Sequence, residues 1–270
     1  MRVGFTVVQQ GDQARFEHSP PQDRGRPELV SFARTAAAAA ALMGRLYYRH
    51  ERLAELLPRL PEDSLRECAA SEAALALSLY REFGPEGLER LGGDFALVLW
   101  DAGASRLLGM RDPMGGYPLY WTECGDTFAL GTGLEPLLGV RGERTLSREY
   151  LADFLMMSGP REEGATELCV YEGIHRVLPG TVVLLDARTR AVRKRVYWNW
   201  LERIQDPGTD RLEEVTGQYV EVLRTAVRER LRGRTSAQLL EPIRQSGNLV
   251  NYYLFRRSAR HTNTRICHDA

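Results

Sequence analysis

Four short apolar runs separated by turn residues occupy the middle of the sequence, and they constrain the fold more than any other feature. Each run has the length of a β-strand, and the linkers between them are rich in glycine, proline and aspartate, which favour turns. The pattern predicts an antiparallel meander. The runs are residues 95–100, 106–110, 118–121 and 127–131.

Two further segments carry strand patterns. Residues 181–185 and 191–197 flank a polar turn and predict a β-hairpin. Residues 3–8 predict a first strand, and the polar, proline-bearing segment 18–28 predicts a loop.

Helical periodicity appears in three places. Ser64 and Glu67 form a capping-box pattern, and the apolar residues that follow lie on one helical face up to Phe83, so we predict one helix that ends at Gly84. Segments 147–157 and 215–231 also have helical spacing.

The alanine-rich segment 35–43 has no clear preference. Its alanines favour a helix, whereas the tyrosines that follow favour a strand, so propensity leaves it open. Two strand-rich halves with helices outside them predict an α+β fold with stacked sheets between helices.

Composition excludes several function classes. The chain has 36 basic and 36 acidic residues and a formal net charge of +0, which argues against nucleic acid as a partner. No stretch approaches the roughly 20 apolar residues of a membrane helix. The four cysteines are widely separated, and the histidines lack ligand spacing, so we expect no disulfide framework, no metal site and a cytoplasmic location.

Segment 91–120, LGGDFALVLWDAGASRLLGMRDPMGGYPLY, resembles the G-D-F-A…W-D…R-D-P-x-G…P-L-Y segment of asparagine synthetases and their relatives. Residues 173–180 and 197–200 and the helix at 215–232 resemble further blocks of that family in the same order. The resemblance covers most of residues 3–235.

The resemblance implies an α/β/β/α sandwich of the N-terminal-nucleophile amidotransferase type, followed by a C-terminal helix and an irregular tail. Residues 1–200 would form a glutamine amidotransferase type 2-like domain. Residues 201–270 would form a linker helix and the truncated start of an ATP-binding synthetase domain.

Four residues of the matching segment are interpreted as structural: Asp94, Arg111, Asp112 and Gly115. We expect Arg111 and Asp112 to pin the glycine-rich corner at Gly115 by a paired hydrogen bond, because arginine and carboxylate pairs of this kind usually stabilise structure.

Glutaminases of the family use a cysteine directly after the initiator methionine, activated by its own α-amine. Arg2 occupies that position here, and it also predicts that Met1 is retained. The nucleophile and its base are therefore both expected to be absent. Cys68 and Cys124 could act as nucleophiles only through tertiary neighbours.

The family's N-G-E-I-Y-N segment, which binds substrate, corresponds to residues 43–48 of this chain, Met-Gly-Arg-Leu-Tyr-Tyr. Met43 cannot donate to an oxyanion as asparagine does. Arg45 replaces a glutamate that would hold the α-ammonium group of glutamine, so it should repel that group or favour an acidic one.

Glu72 lies about where the family has an aspartate that also holds the ammonium group. The alternative is a first-turn glutamate that follows Ser71 and interacts with the helix dipole. We therefore predict no catalytic residue and a vestigial pocket of Met43, Gly44, Arg45 and Glu72.

The predicted protein is asparagine-synthetase-like, with an amidotransferase-type domain that lacks a competent glutaminase site and is inactive alone. ATP and magnesium are expected only with a phosphate loop of the S-G-G-x-D-S type, and the sequence after Arg234 departs from that pattern. We expect no cofactor in this chain.

Two alternatives remain open. The chain could be a remnant of a β-lactam synthetase or a lasso-peptide macrolactam cyclase, in which the same fold loses its glutaminase residues. It could instead be a non-enzymatic regulatory module that binds a peptide or a small amino-acid-like ligand in the old pocket. The apolar stripe of the helix at 213–231 is a candidate surface for self-association.

Overall fold

A computed structural model describes residues 4–19, 29–157, 166–199, 201–203 and 212–231. The chain divides into two compact units, Met1–Ile204 and Gln205–Ala270. The expectations for Arg2 and for the tail after Arg234 lie outside the described residues.

The first unit contains two antiparallel sheets. In the five-stranded sheet the spatial order is β2-β1-β8-β7-β9, and in the six-stranded sheet it is β11-β10-β6-β5-β4-β3. The strands are β1 (Gly4–Gln10), β2 (Gln13–Ser19), β3 (Val30–Arg34), β4 (Ala38–Tyr47), β5 (Gly92–Asp101), β6 (Arg106–Arg111), β7 (Tyr120–Cys124), β8 (Thr127–Gly131), β9 (Ile174–Arg176), β10 (Thr181–Asp186) and β11 (Val192–Val196).

Six helices belong to the described part of this unit, together with a short 3₁₀ turn at Leu201–Arg203. The second unit contributes one described helix of 20 residues, α7 (Leu212–Leu231). The six helices are α1 (Arg49–Leu56), α2 (Glu62–Ala70), α3 (Glu72–Phe83), α4 (Pro85–Glu89), α5 (Leu134–Arg141) and α6 (Arg148–Met157).

Three buried apolar clusters separate four layers. The first lies between helices α1–α4 and the six-stranded sheet and contains Leu75 and Phe95. The second fills the space between the sheets and contains Val98 and Phe128, and the third contains Leu137 of α5 against the five-stranded sheet. Since side chains alternate along a strand, each central strand supplies two clusters. The architecture is therefore the expected α/β/β/α sandwich.

The strand predictions are confirmed, but the meander is wrong. β5 and β6 pair in one sheet, whereas β7 and β8 pair in the other. The chain changes sheets at residues 112–119, where Gly115 has a positive φ of 66°. Because of this crossing, β5 and β6 supply apolar side chains to the cluster between the sheets from one sheet, and β8 supplies them from the other.

The hairpin at 181–197, the first strand and the helices at 147–157 and 215–231 are confirmed. The loop predicted at 18–28 begins too early, because β2 extends to Ser19 and residues 20–28 lie outside the described residues. β2 is largely polar because it forms one edge of its sheet.

The single helix predicted from Ser64 to Phe83 is wrong. α2 ends at Ala70, and Ser71 has an extended backbone (φ −129°, ψ 129°). The Ser71 hydroxyl accepts a 3.3 Å hydrogen bond from the Ala74 amide, so Ser71 is the N-cap of α3. The break gives two helices, of which α3 packs against β3 and β4 and α2 packs against α3.

The alanine-rich segment is strand β4, which lies between β3 and β5. Tertiary pairing overrides the helical propensity of its alanines. Ala40 and Ala41 are fully buried on opposite faces, and their small side chains fit between packed layers.

The helices of the described residues include none that is both long and apolar enough to span a bilayer. Within α7, the side chains of Val215, Tyr219 and Val222 are exposed, Tyr219 by 64% and Val222 by 68%.

Candidate functional site

The candidate site lies at one end of the sandwich, where β4 ends and β5 begins. In this antiparallel pair Arg45 lies directly opposite Asp94, and Tyr47 is opposite Gly92. Arg45, Tyr47 and Asp94 therefore share the face that points toward the second sheet. The Tyr47 hydroxyl donates a 2.6 Å hydrogen bond to Asp94 Oδ2.

Gly44 allows the backbone of β4 to lie close to the backbone of β5 at this end of the sheet. Its φ is +124°, and a Cβ at this position would lie 2.1 Å from the carbonyl oxygen of Asp94 and 2.8 Å from Cε2 of Tyr117. Its amide donates a 2.8 Å hydrogen bond to the Leu29 carbonyl. Only glycine fits here, and neighbouring Met43 packs partly buried against the cluster between the sheets.

Glu72 joins the helical layer to the pocket strand. It accepts hydrogen bonds from the Leu46 amide (3.3 Å) and from Arg49 Nη1 (3.1 Å). Arg49 Nη2 also donates to the carbonyls of Cys68 and Ala69 at the end of α2. Burial raises the pKa of Glu72, and the charge of Arg49 opposes that shift. Glu72 is the first residue of α3 and binds the backbone of β4, away from Asp94.

The Arg45 guanidinium differs from these groups. Across the described parts of the chain, no hydrogen bond or ion pair holds it. Its charge acts on Glu72, whose pKa it helps to lower, but more weakly than Arg49 does. The side chain is half-buried near the end of β4.

Arg111 fastens the glycine-rich corner through main-chain atoms. Its guanidinium donates to the carbonyls of Tyr117 (2.8 Å), Val177 (3.1 Å) and Gly115 (2.8 Å). A side chain at Gly115 would meet this guanidinium and Pro179. The expected pinning of the corner therefore runs through backbone carbonyls.

Asp112 holds the other side of the corner. Its fully buried carboxylate accepts from the amides of Phe95 (3.1 Å), Met114 (2.8 Å) and Gly116 (2.8 Å). Burial raises the pKa of Asp112, whereas the three amides lower it. The bond to Phe95 ties the corner to β5, next to Asp94.

The Y-W block near residue 197 closes the same corner. The Tyr197 hydroxyl donates a 3.0 Å hydrogen bond to the Arg111 carbonyl, and its amide donates to the Gly180 carbonyl. The Gly180 amide in turn donates to the Asp112 carbonyl. Three blocks that lie far apart in the sequence thus meet at this glycine-rich corner.

The sulfur atoms of Cys68 and Cys124 have their recorded contacts with groups other than segment 43–48 and Asp94. Cys68 is buried between α2 and α3, with Sγ 3.2 Å from the Ser78 hydroxyl. Cys169 is buried in the cluster around α5, and Cys124 Sγ lies 3.9 Å from the Arg141 carbonyl. In the described ranges, no group of three or more His, Cys, Asp or Glu residues could hold a metal ion.

A family model described as a glutamine amidotransferase domain matches residues 31–198, which include the pocket strand, the corner and the Y-W block. The chain belongs to this family. The glutamine amidotransferase domain of this chain accordingly has two antiparallel sheets between helices, with the candidate site at one end of the sheets.

Relatives of this glutamine amidotransferase domain include two fungal proteins. It is 30% identical to Amidase chyE of Penicillium rubens over 129 residues, covering 48% of this chain and 18% of that protein. It is 27% identical to Amidase chry2 of Gibberella zeae over 195 residues, covering 72% and 27%. It is also 28% identical to asparagine synthetase [glutamine-hydrolyzing] 1 of Bacillus subtilis over 85 residues, covering 32% and 13%. The match thus spans less than a third of each relative.

Solved structures with similar chain courses include a glutamine aminotransferase class-II domain protein from Silicibacter pomeroyi, with a TM-score of 0.38 and 10% identity over 73% of this chain and 92% of that chain. An allosteric regulatory enzyme of purine biosynthesis has a TM-score of 0.42 and 13% identity, covering 73% and 43%.

Proposed function

We propose that this chain is the amidotransferase-type domain of an asparagine-synthetase-like protein, that it acts in the cytoplasm, and that it binds a peptide or an amino-acid-like ligand without hydrolysing glutamine. The observation that carries the proposal is the segment at the end of β4, which carries Met43 and the guanidinium of Arg45, a cation without a partner among the residues that the structure describes.

The nucleophile is the first support. Arg2 stands directly after Met1, at the position that carries the nucleophilic cysteine in glutaminases of the family, and its side chain has no thiol or hydroxyl. The hydroxyl of Thr132, beside the start of β1, accepts from the Phe5 amide at 3.0 Å and lies 3.4 Å from the Phe5 carbonyl. It is therefore engaged with the backbone, and we assign it a structural role.

Transition-state stabilisation is the second support. A tetrahedral oxyanion needs a hydrogen-bond donor, and the loss of one such donor costs roughly 2.7–4 kcal/mol. The thioether of Met43 supplies none. Asp94 is an acceptor that already binds the Tyr47 hydroxyl. Glutamine would thus meet a cation where its own ammonium group must bind.

The test is release of glutamate and ammonia from glutamine by the purified chain. We expect no turnover above that of a heat-denatured sample. Turnover that disappears in Cys68→Ala, Cys124→Ala or Cys169→Ala would contradict the proposal, because it would reveal a relocated thiol. The fourth cysteine, Cys267, is tested by the same substitution.

A second candidate is descent from a lactam-forming cyclase, either a β-lactam synthetase or a lasso-peptide macrolactam cyclase. The replacement of glutaminase residues at Met43 and Arg45 favours it, because such enzymes take their amine from within the substrate. A precursor-peptide gene and a leader-protease gene beside the coding sequence would support the lasso-peptide case. Neighbouring genes of unrelated pathways would argue against it.

A further inference from the structure

The Arg45 guanidinium is half-buried and has no hydrogen-bond or ion-pair partner among the described residues. Asp94 lies directly opposite it, but that carboxylate accepts the Tyr47 hydroxyl. Glu72 also senses the charge of Arg45, but its oxygens bind Arg49 and the Leu46 amide. Each of these carboxylates accepts hydrogen bonds from other groups, and within the described ranges neither forms an ion pair with Arg45.

We propose that the pocket binds its ligand through a carboxylate held by Arg45. This inference rests on the proposed ligand-binding function and names the chemistry of that ligand.

The geometry of arginine favours this assignment. A guanidinium presents a planar set of donors that matches the two oxygens of a carboxylate, and a charge-assisted pair is stronger where water is partly excluded. The half-buried position of Arg45 satisfies that condition. A surface arginine would gain much less from the same pair.

The neighbouring side chains indicate the rest of the ligand. Met43 and Tyr117 pack partly buried against the apolar cluster between the sheets. They offer apolar contact beside the cation, so we expect an apolar group next to the carboxylate of the ligand. Asp94 disfavours a dianion such as a phosphate monoester, because its own charge lies across from Arg45. A single carboxylate matches the one positive charge of Arg45.

The experiment is an NMR titration of the ¹⁵N-labelled full chain with N-acetylleucine and with N-acetylleucinamide. The two probes have nearly the same shape and differ in the charge of one end. We expect N-acetylleucine to shift the amide signals of Gly44, Gly92 and Gly93 in a saturable manner. The amide should bind about tenfold more weakly or worse, since it cannot form a charge-assisted pair.

Two variants make the test specific. Arg45→Gln should lower the affinity for N-acetylleucine about tenfold to the level of the amide. Arg81→Gln is the matched control, because Arg81 is exposed in the last turn of α3 and also lacks a partner within the described ranges. It should bind like the parent chain.

Equal affinity for the two probes, full binding by Arg45→Gln, or no saturable shift with N-acetylleucine would each overturn the inference. Failure of the proposed function has a different signature, which is release of ammonia from glutamine. The melting temperature of Arg45→Gln is measured in the same samples. Loss of binding counts as evidence only if the variant is folded at the temperature of the titration.

Discussion

The hydroxyl of Tyr47 is held 2.6 Å from Asp94 Oδ2, which joins the last residue of β4 to the beginning of β5. Tyr47 is 5% exposed, so the bond is shielded from water. It fixes the side chain of Asp94, the residue that lies opposite Arg45 in the strand pair.

The first prediction follows from this bond. Tyr47→Phe should lower the free energy of unfolding by about 1.5–3 kcal/mol, because it removes a hydrogen bond to a charged group. It should also weaken N-acetylleucine binding, since the Asp94 side chain, no longer held by Tyr47, can turn toward Arg45 and compete with the ligand. Urea denaturation and the NMR titration measure the two effects. The control is Tyr171→Phe, whose hydroxyl makes no hydrogen bond within the described ranges; an equal loss in both variants would refute the assignment.

The second prediction concerns the unequal partners Glu72 and Arg49. Burial raises the pKa of Glu72 despite the charge of Arg49, so a neutral amide of the same shape should be tolerated. Glu72→Gln should change the free energy of unfolding at pH 7 by less than about 1 kcal/mol. Arg49→Met should cost about 1–3 kcal/mol, because it leaves a partly buried carboxylate and two helix-end carbonyls without their donor. Chemical denaturation at pH 7 measures both free energies of unfolding. A larger loss of stability in Glu72→Gln than in Arg49→Met would contradict the prediction.

The third prediction is a pH dependence caused by His175. Its ring stacks on Trp121 with centroids 4.6 Å apart, and burial, followed by the nearby charge of Lys194, lowers its pKa below the ordinary value of 6.5. The unfolded chain therefore binds a proton at higher pH than the folded chain does. The contribution of His175 to stability is complete above about pH 6.5 and is lost as the pH falls toward its folded pKa.

Melting temperatures between pH 7.5 and pH 5 measure this effect. His175→Gln should flatten the acid side of the profile, whereas His50→Gln, at an exposed helical position, should leave it unchanged. An unchanged slope in His175→Gln would show that another group causes the dependence.

The fourth prediction concerns α7, for which we propose self-association through its exposed stripe. Val215, Tyr219 and Val222 lie on one side of the helix at spacings of four and three residues. Sedimentation velocity should show a concentration-dependent increase in mass, and Tyr219→Ser with Val222→Ser should abolish it. The matched control is Glu213→Ser with Arg224→Ser, on the opposite side of the helix. A parent chain that stays monomeric at high concentration would refute the proposal.

The sequence predicts those strands and helices whose apolar spacing and flanking turn residues lie within a few positions of one another. The runs that became β5 and β8 have strand length and turn residues at their ends, and the helix α7 has a clear apolar spacing. α5 was missed because Pro136 and Gly139 interrupt its pattern. The helix break at Ser71 was also missed, since Ser64 offers an equally good capping sequence.

The site could be predicted only in part. The sequence located residues 43–48 through a resemblance, and Gly44 marks the close backbone approach. The partners of these residues could not be predicted, because they depend on strand register. Tyr47 reaches Asp94 across 47 positions, and Arg49 reaches Glu72 across 23. Neither separation has a local sequence signal.

The corner at residues 111–117 has a consequence for how this protein can change. Arg111 and Asp112 hold it by bonds to main-chain carbonyls, which every amino acid supplies, and to main-chain amides, which every amino acid except proline supplies. The frame of the pocket is therefore insulated from the identity of the side chains that line it. Substitutions at positions 43 and 45 can alter ligand preference while the fold persists, which makes this end of the sandwich a suitable place for directed evolution of new binding specificities.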